Sequence, residues 1–111
     1  REITVEIRGT IWTISIELST DPAVGEWLSI SDQKPELDGR PGVRRLGVRL
    51  ALAHPFMERF GGTDPERIEP LLRVAAALAL AETSARASGV RFAGTIRRNM
   101  NEYLRDALSK P

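Results

Sequence analysis

Apolar and polar residues alternate along the first half of the chain and recur every three or four positions along the second, which divides it near residue 54 into a strand region and a helical region. Ile3, Val5 and Ile7 are apolar while Thr4, Glu6 and Arg8 are polar, the period of a half-buried strand over residues 2–8. After Gly9 the parity reverses, with Trp12, Ile14, Ile16 and Leu18 on one side and Thr13, Ser15 and Glu17 on the other. A hairpin at Arg8-Gly9-Thr10, or a bulge at Gly9, accounts for the reversal. A further strand spans about 43–53, where Leu46, Val48, Leu50 and Leu52 alternate with Gly47, Arg49, Ala51 and Ala53. His54-Pro55 ends it, because proline lacks the ladder donor. Between these strands, Asp21-Pro22 predicts a short helical turn to about Trp27. Residues 31–42, rich in Pro, Gly, Asp and Lys without periodicity, predict a solvated loop.

In the second half, residues 55–60 predict a short helix stopped by Gly61-Gly62. Thr63-Asp64-Pro65-Glu66 combines a capping residue, a proline at the first helical position and a Thr-x-x-Glu capping box, so a long helix follows to about Ser88 and ends at Gly89. Pro70 would remove an interior hydrogen bond, which favours a one-turn helix followed by a main helix starting at Pro70 over a single kinked one. The run 74–81 is apolar nearly all round and is expected to be deeply packed. A last helix over about 94–108 places Ile96, Met100, Tyr103, Leu104, Ala107 and Leu108 on one stripe, through which it is expected to dock on the rest. The predicted fold is a single α+β domain over residues 1–111. A small antiparallel sheet of about three strands in 1–53 packs against two longer helices and a short one in 54–111.

Composition narrows the function more than it names one. The 111 residues are 41% hydrophobic and 28% charged with a net charge of +1, ordinary globular values with no global pull toward a polyanion. The absence of cysteine excludes disulfides, thiolate zinc sites and cysteine nucleophiles. The run 74–81, eight residues between Arg73 and Glu82, falls far short of the roughly 20 that cross a bilayer, so no membrane partner is expected. The chain opens at Arg1 directly in a strand pattern, without a charged-then-apolar leader, and reads as a piece of a larger intracellular protein. Arginine outnumbers lysine heavily, with Lys34 and Lys110 the only lysines, a usage that points to a GC-rich bacterial genome, and the absence of cysteine points to the cytoplasm.

His54 is the only histidine, so a Ser-His-Asp arrangement would have to use it; its place before Pro55 reads as a strand end, and a small hydrolase built on it is the least favoured reading. Asp38-Gly39-Arg40-Pro41-Gly42 lacks the strand-to-helix context of a phosphate loop and reads as a turn, and Gly61-Gly62-Thr63 as a helix stop beside a cap. Trp12 and Trp27 read as core. Two arginine clusters stand out: Arg40, Arg44, Arg45 and Arg49, and then Arg86, Arg91, Arg97, Arg98 and Arg105. Of these, Arg44, Arg45, Arg49, Arg97 and Arg98 are the candidates for phosphate contacts with DNA, against the alternative of a solvated face paired through Arg98/Glu102 and Glu102/Arg105. No catalytic residue, metal ligand or cofactor-binding residue is expected in this segment.

Three segments, LALAHPF at 50–56, LLRVAAALALAE at 71–82 and GTIRRNMNEYL at 94–104, together resemble the C-terminal region of large bacterial ATP-binding proteins of the Hsp90/MutL/histidine-kinase (GHKL) ATPase superfamily, of the restriction and phage-defence type. The likeness covers residues 43–108, about 60% of the chain. That superfamily holds ATP on an acidic-Asn helix followed by Asp-x-Gly and a glycine-rich lid, none of which stands here in order. The resemblance therefore implies that ATP and Mg belong to another domain of the parent protein. It implies for this segment a non-catalytic role in transduction, docking on other domains of the parent chain, or homodimerisation. A nucleic-acid-binding module is the alternative.

Overall fold

The computed structural model describes residues 1–35, 43–62 and 64–110. Strands β1 (Glu2–Ile7) and β2 (Thr10–Ser19) form a hairpin closed by Arg8 and Gly9, both in left-handed backbone at φ 53 and 80. Positive φ at both central residues is what a two-residue turn matched to strand twist requires, so the parity change at Gly9 marks a hairpin. Strands β3 (Leu28–Pro35) and β4 (Val43–Ala51) complete a four-stranded sheet in the order β1-β2-β4-β3. The architecture is α+β, as the patterns predict, with one strand more. The central pair β2 and β4 is parallel, whereas β1/β2 and β3/β4 are antiparallel.

The additional strand lies where a helical turn and a loop were expected. Asp21 does turn the chain, its carboxylate accepting from Ala23 N at 2.9 Å, but no helix follows. Instead the Trp27 carbonyl accepts from Ala51 N at 2.9 Å and draws the chain onto the sheet. As an edge strand β3 needs no apolar alternation, tolerates Pro35 at its end and shifts register between Ile30 and Asp32, so it left no period-2 signal. Residues 36–42, which include the expected turn at Asp38-Gly39-Arg40-Pro41-Gly42, lie outside the described residues, as does Thr63.

One sheet face is the core. Trp12, Ile14, Ile16, Leu46, Val48, Leu50 and Leu28 are buried against Ile68, Leu72, Ala75, Ala76, Ala79 and Leu80 of helix α1 (Pro65–Ala87). Each fully buried leucine contributes about 1.5–3 kcal/mol, and the alanines let the helix approach the sheet closely. Trp27 is buried too and meets Phe56 edge-on at 5.5 Å, so both tryptophans are core residues. Asp64 caps α1, accepting from Glu66 N at 3.0 Å. The helix runs unbroken through Pro70, correcting the expected restart there: Pro70 lies in the second turn at an exposed position, where it costs one hydrogen bond near a helix end. The run 74–81 is packed on one side only, with Val74, Ala77 and Ala81 exposed.

The short helix expected at 55–60 is a single turn, Met57–Gly61. A Cβ at Gly61 would stand 2.7 Å from the buried Met57 Cε, so a side chain there would require the end of Met57 to shift. Gly89 at φ 92 ends α1 in a Schellman arrangement, with Val90 N donating to Ala85 O at 3.0 Å. Helix α2 (Gly94–Arg105) follows, and a 3-10 turn at Ala107–Ser109 replaces the last turn expected of it. No helix among the described residues is long and apolar enough to cross a membrane.

Candidate interaction face

Helix α2 is amphipathic, and it docks by its polar side. Asn101 is buried against the open edge of β3: its Oδ1 accepts from Leu28 N at 3.0 Å and its Nδ2 donates to Leu28 O at 2.8 Å. The carboxamide thus does for Leu28 what a fifth strand would do, satisfying both edge groups. One turn earlier, Arg97 reaches Glu82 of α1 through Nε at 3.0 Å and Glu26 through NH1 at 3.5 Å. The Glu82 side chain is 3% exposed and that of Arg97 13%, and Arg86 adds a second guanidinium at 3.4 Å. Gly94 is buried at the helix start, and Arg105 donates to Gly25 O at 3.2 Å near its end.

The apolar stripe is split, which corrects in part the expectation that α2 docks through it: Met100 and Leu104 pack against the core, and the rest of the stripe faces outward. Ile96 is 70% exposed, Tyr103 55% and Leu108 60%, while Met100 and Leu104 are half-buried. They surround a hollow of about 330 Å³ whose lining, apart from Asn99, is apolar or aromatic. Ile96 also borders a second hollow of about 240 Å³ between the helices, walled by Leu78, Ala81, Ala85, Val90 and Ala93, with Glu82 and Arg97 beside them. Phe92 stands out of the turn between the two helices. Exposed apolar side chains gathered in this way make the strip a candidate interaction surface.

The candidate arginines do not assemble. Side chains of a strand alternate between faces, so Arg44 lies over the Trp12 ring at 5.6 Å on the core side while Arg45 and Arg49 lie on the opposite face. There Arg49 meets Glu17 at 3.3 Å, and the groove of about 410 Å³ along that face is lined by Glu2 and Glu17 as well as Arg1 and Arg45. Arg97 is held by carboxylates, and Arg98 turns back to Thr95 Oγ1 at 3.2 Å rather than to Glu102. Glu69 and Arg73, four apart on α1, pair at 2.9 Å, and Glu69 also receives Arg1.

His54 sits at the opposite end of β4 from Arg44. It is buried, its Nδ1 accepts from Phe56 N at 3.1 Å, and its Nε2 has no partner among the described residues. Burial, with the nearby charge of Arg105 adding to it, holds its pKa below the ordinary 6.5. The unfolded chain therefore takes up a proton that the folded chain refuses. Stability is full above 6.5 and falls as pH drops through the lower folded value. Urea midpoints measured from about pH 7.5 to about pH 5.5 should fall in the native chain and stay level in His54→Asn, which keeps the acceptor but not the titration. No group of three His, Cys, Asp or Glu that would hold a metal ion occurs among the described residues.

Compared with protein-family models, with curated proteins and with solved structures, the chain matches none of them.

Proposed function

We propose that the chain is a non-catalytic accessory module of a larger intracellular ATP-binding protein, which couples the parent's nucleotide-dependent domain to a partner through the outward face of α2. The observation that carries the reading is the set of α2: Arg97 and Asn101, with Met100 and Leu104, are spent on the body, and Ile96, Tyr103 and Leu108 are left for something else. The resemblance of residues 50–56, 71–82 and 94–104 to the C-terminal region of the GHKL ATPases supports the same assignment. Charged substitutions on the strip, Ile96→Lys with Tyr103→Lys, should leave nucleotide binding by the parent intact while abolishing its coupling to a partner or second subunit. Comparing nucleotide hydrolysis and assembly state of the parent with and without these substitutions tests this. Unchanged hydrolysis and assembly would remove the reading.

A further inference from the structure

We infer that the free edge of β1 is a docking site for an extended segment of a partner protein, which joins the four-stranded sheet as a further strand with apolar side chains toward α1 and basic ones alternating outward. β1 stands at the end of the strand order, and no strand among the described residues lies beyond it. Arg1 exchanges backbone hydrogen bonds with Ile16, at 2.7 and 3.1 Å, and antiparallel pairs alternate from there, so residues 1, 3, 5 and 7 bond to β2. The N–H and C=O groups of Glu2, Thr4 and Glu6 therefore point away from β2, to the open side. None of them has a hydrogen-bond partner among the described residues. The opposite edge is closed to such pairing: Asn101 occupies both groups of Leu28, the register shifts between Ile30 and Asp32, and Pro35 ends the strand. β1 has neither bulge nor proline, and its only charges are the carboxylates of Glu2 and Glu6, which repel some strands and attract others.

The two faces of this edge define what the incoming strand carries. On the core side, Ile3, Val5 and Ile7 with Ala76, Ala77 and Leu80 of α1 wall an apolar hollow of about 190 Å³, beside which Arg73 is already paired with Glu69. Alternate side chains of an added strand fall over that hollow. On the other face stand Glu2, Thr4 and Glu6, whose neighbours on β2 are Ser15, Thr13 and Ile11, so no cation of β2 meets the carboxylates. Neither glutamate forms an ion pair among the described residues, and Glu2 has only Ser15 Oγ at 3.4 Å. Arg45 and Arg49 of the same face lie on β4, across β2 from them, where Arg49 is taken by Glu17. Opposite charges facing each other across a strand pair attract and like charges repel, so Glu2 and Glu6 select lysine or arginine at the facing positions. The same rule refuses a second copy of β1, which, run antiparallel about Thr4, would set Glu2 of each copy against Glu6 of the other. Helix α2 sits at the β3 edge, so this site lies at the opposite side of the sheet from the α2 strip and does not depend on it.

The probe is a capped peptide of about nine alternating valine and lysine residues, with its valine–glutamate counterpart as the charge control. The valine–lysine peptide should bind saturably. On binding, the amides of Glu2, Thr4 and Glu6 should gain protection from hydrogen exchange, while those of Ile3, Val5 and Ile7 are protected with or without it. Glu2→Lys/Glu6→Lys, which alters exposed side chains only, should weaken binding at least about tenfold and transfer the preference to the valine–glutamate peptide. Thr4→Pro removes an outward N–H that β2 does not use, so it should abolish binding with the fold retained. No saturable binding up to about 1 mM peptide, equal binding of the two peptides, or protection gained only at other amides overturns the inference. Ile96→Lys/Tyr103→Lys should leave binding unchanged. Binding lost there instead of at β1 would place the peptide on the α2 strip, and self-association of the chain through the Glu2, Thr4 and Glu6 amides would put a second copy in the partner's place; either result overturns the inference.

Discussion

Asn101→Ala lowers the free energy of unfolding by about 3 kcal/mol, the largest loss expected from one small substitution here. The side chain removed is small and polar, so little hydrophobic burial is lost. What is lost is the pairing of Leu28, whose N–H and C=O both bond to the Asn101 carboxamide and whose residue is fully buried. Each group left without a partner in a dry site costs about 1–3 kcal/mol. Asn101→Asp should cost a comparable amount, because it keeps the acceptor for Leu28 N but replaces the donor to Leu28 O with a buried negative charge. Denaturant unfolding measures the loss. Amide exchange localises it: the Leu28 N–H should lose protection in Asn101→Ala before the amides of β2 and β4 do.

The second large effect concerns the clasp between the helices. Arg97→Leu leaves the Glu82 carboxylate buried with Arg86 alone, at 3.4 Å, and is expected to destabilise by about 2–4 kcal/mol. Removing both partners together, Glu82→Leu with Arg97→Leu, should return most of that loss, because a well-packed apolar pair carries no desolvation penalty. The difference between the single and double variants in a thermodynamic cycle measures the coupling. Additive losses would show that Arg97 acts through its packing rather than its charge.

The sequence was legible where a pattern had one structural solution. The reversal of parity across Gly9, the alternation of 46–52 and the cap at Asp64-Pro65 each became the element they imply. Edge strand β3 was illegible, because the backbone of β4, rather than any side-chain period, fixes it. Pro70 misled because its cost depends on how far into a helix it lies, and in the second turn it is small. The stripe on α2 was found correctly, but periodicity divides a helix into faces without saying which one is inside. That was settled by Asn101 and Arg97, whose partners Leu28, Glu26 and Glu82 lie 15 to 73 positions away. Polar residues at 97 and 101, four apart on one side of an otherwise apolar-striped helix, were the signal available for it. The five candidate arginines were close in sequence or shared a helix, yet strand alternation and the Glu82 clasp send them to separate surroundings.

The account turns on α2 presenting Ile96 and Tyr103 outward, and unfolding of an Ile96→Ser/Tyr103→Ser variant at low protein concentration tests that most directly. The outward arrangement predicts a urea midpoint within about 0.5 kcal/mol of the native chain, as for surface substitutions. A loss of about 3 kcal/mol or more, the signature of two side chains taken from a packed core, would contradict it.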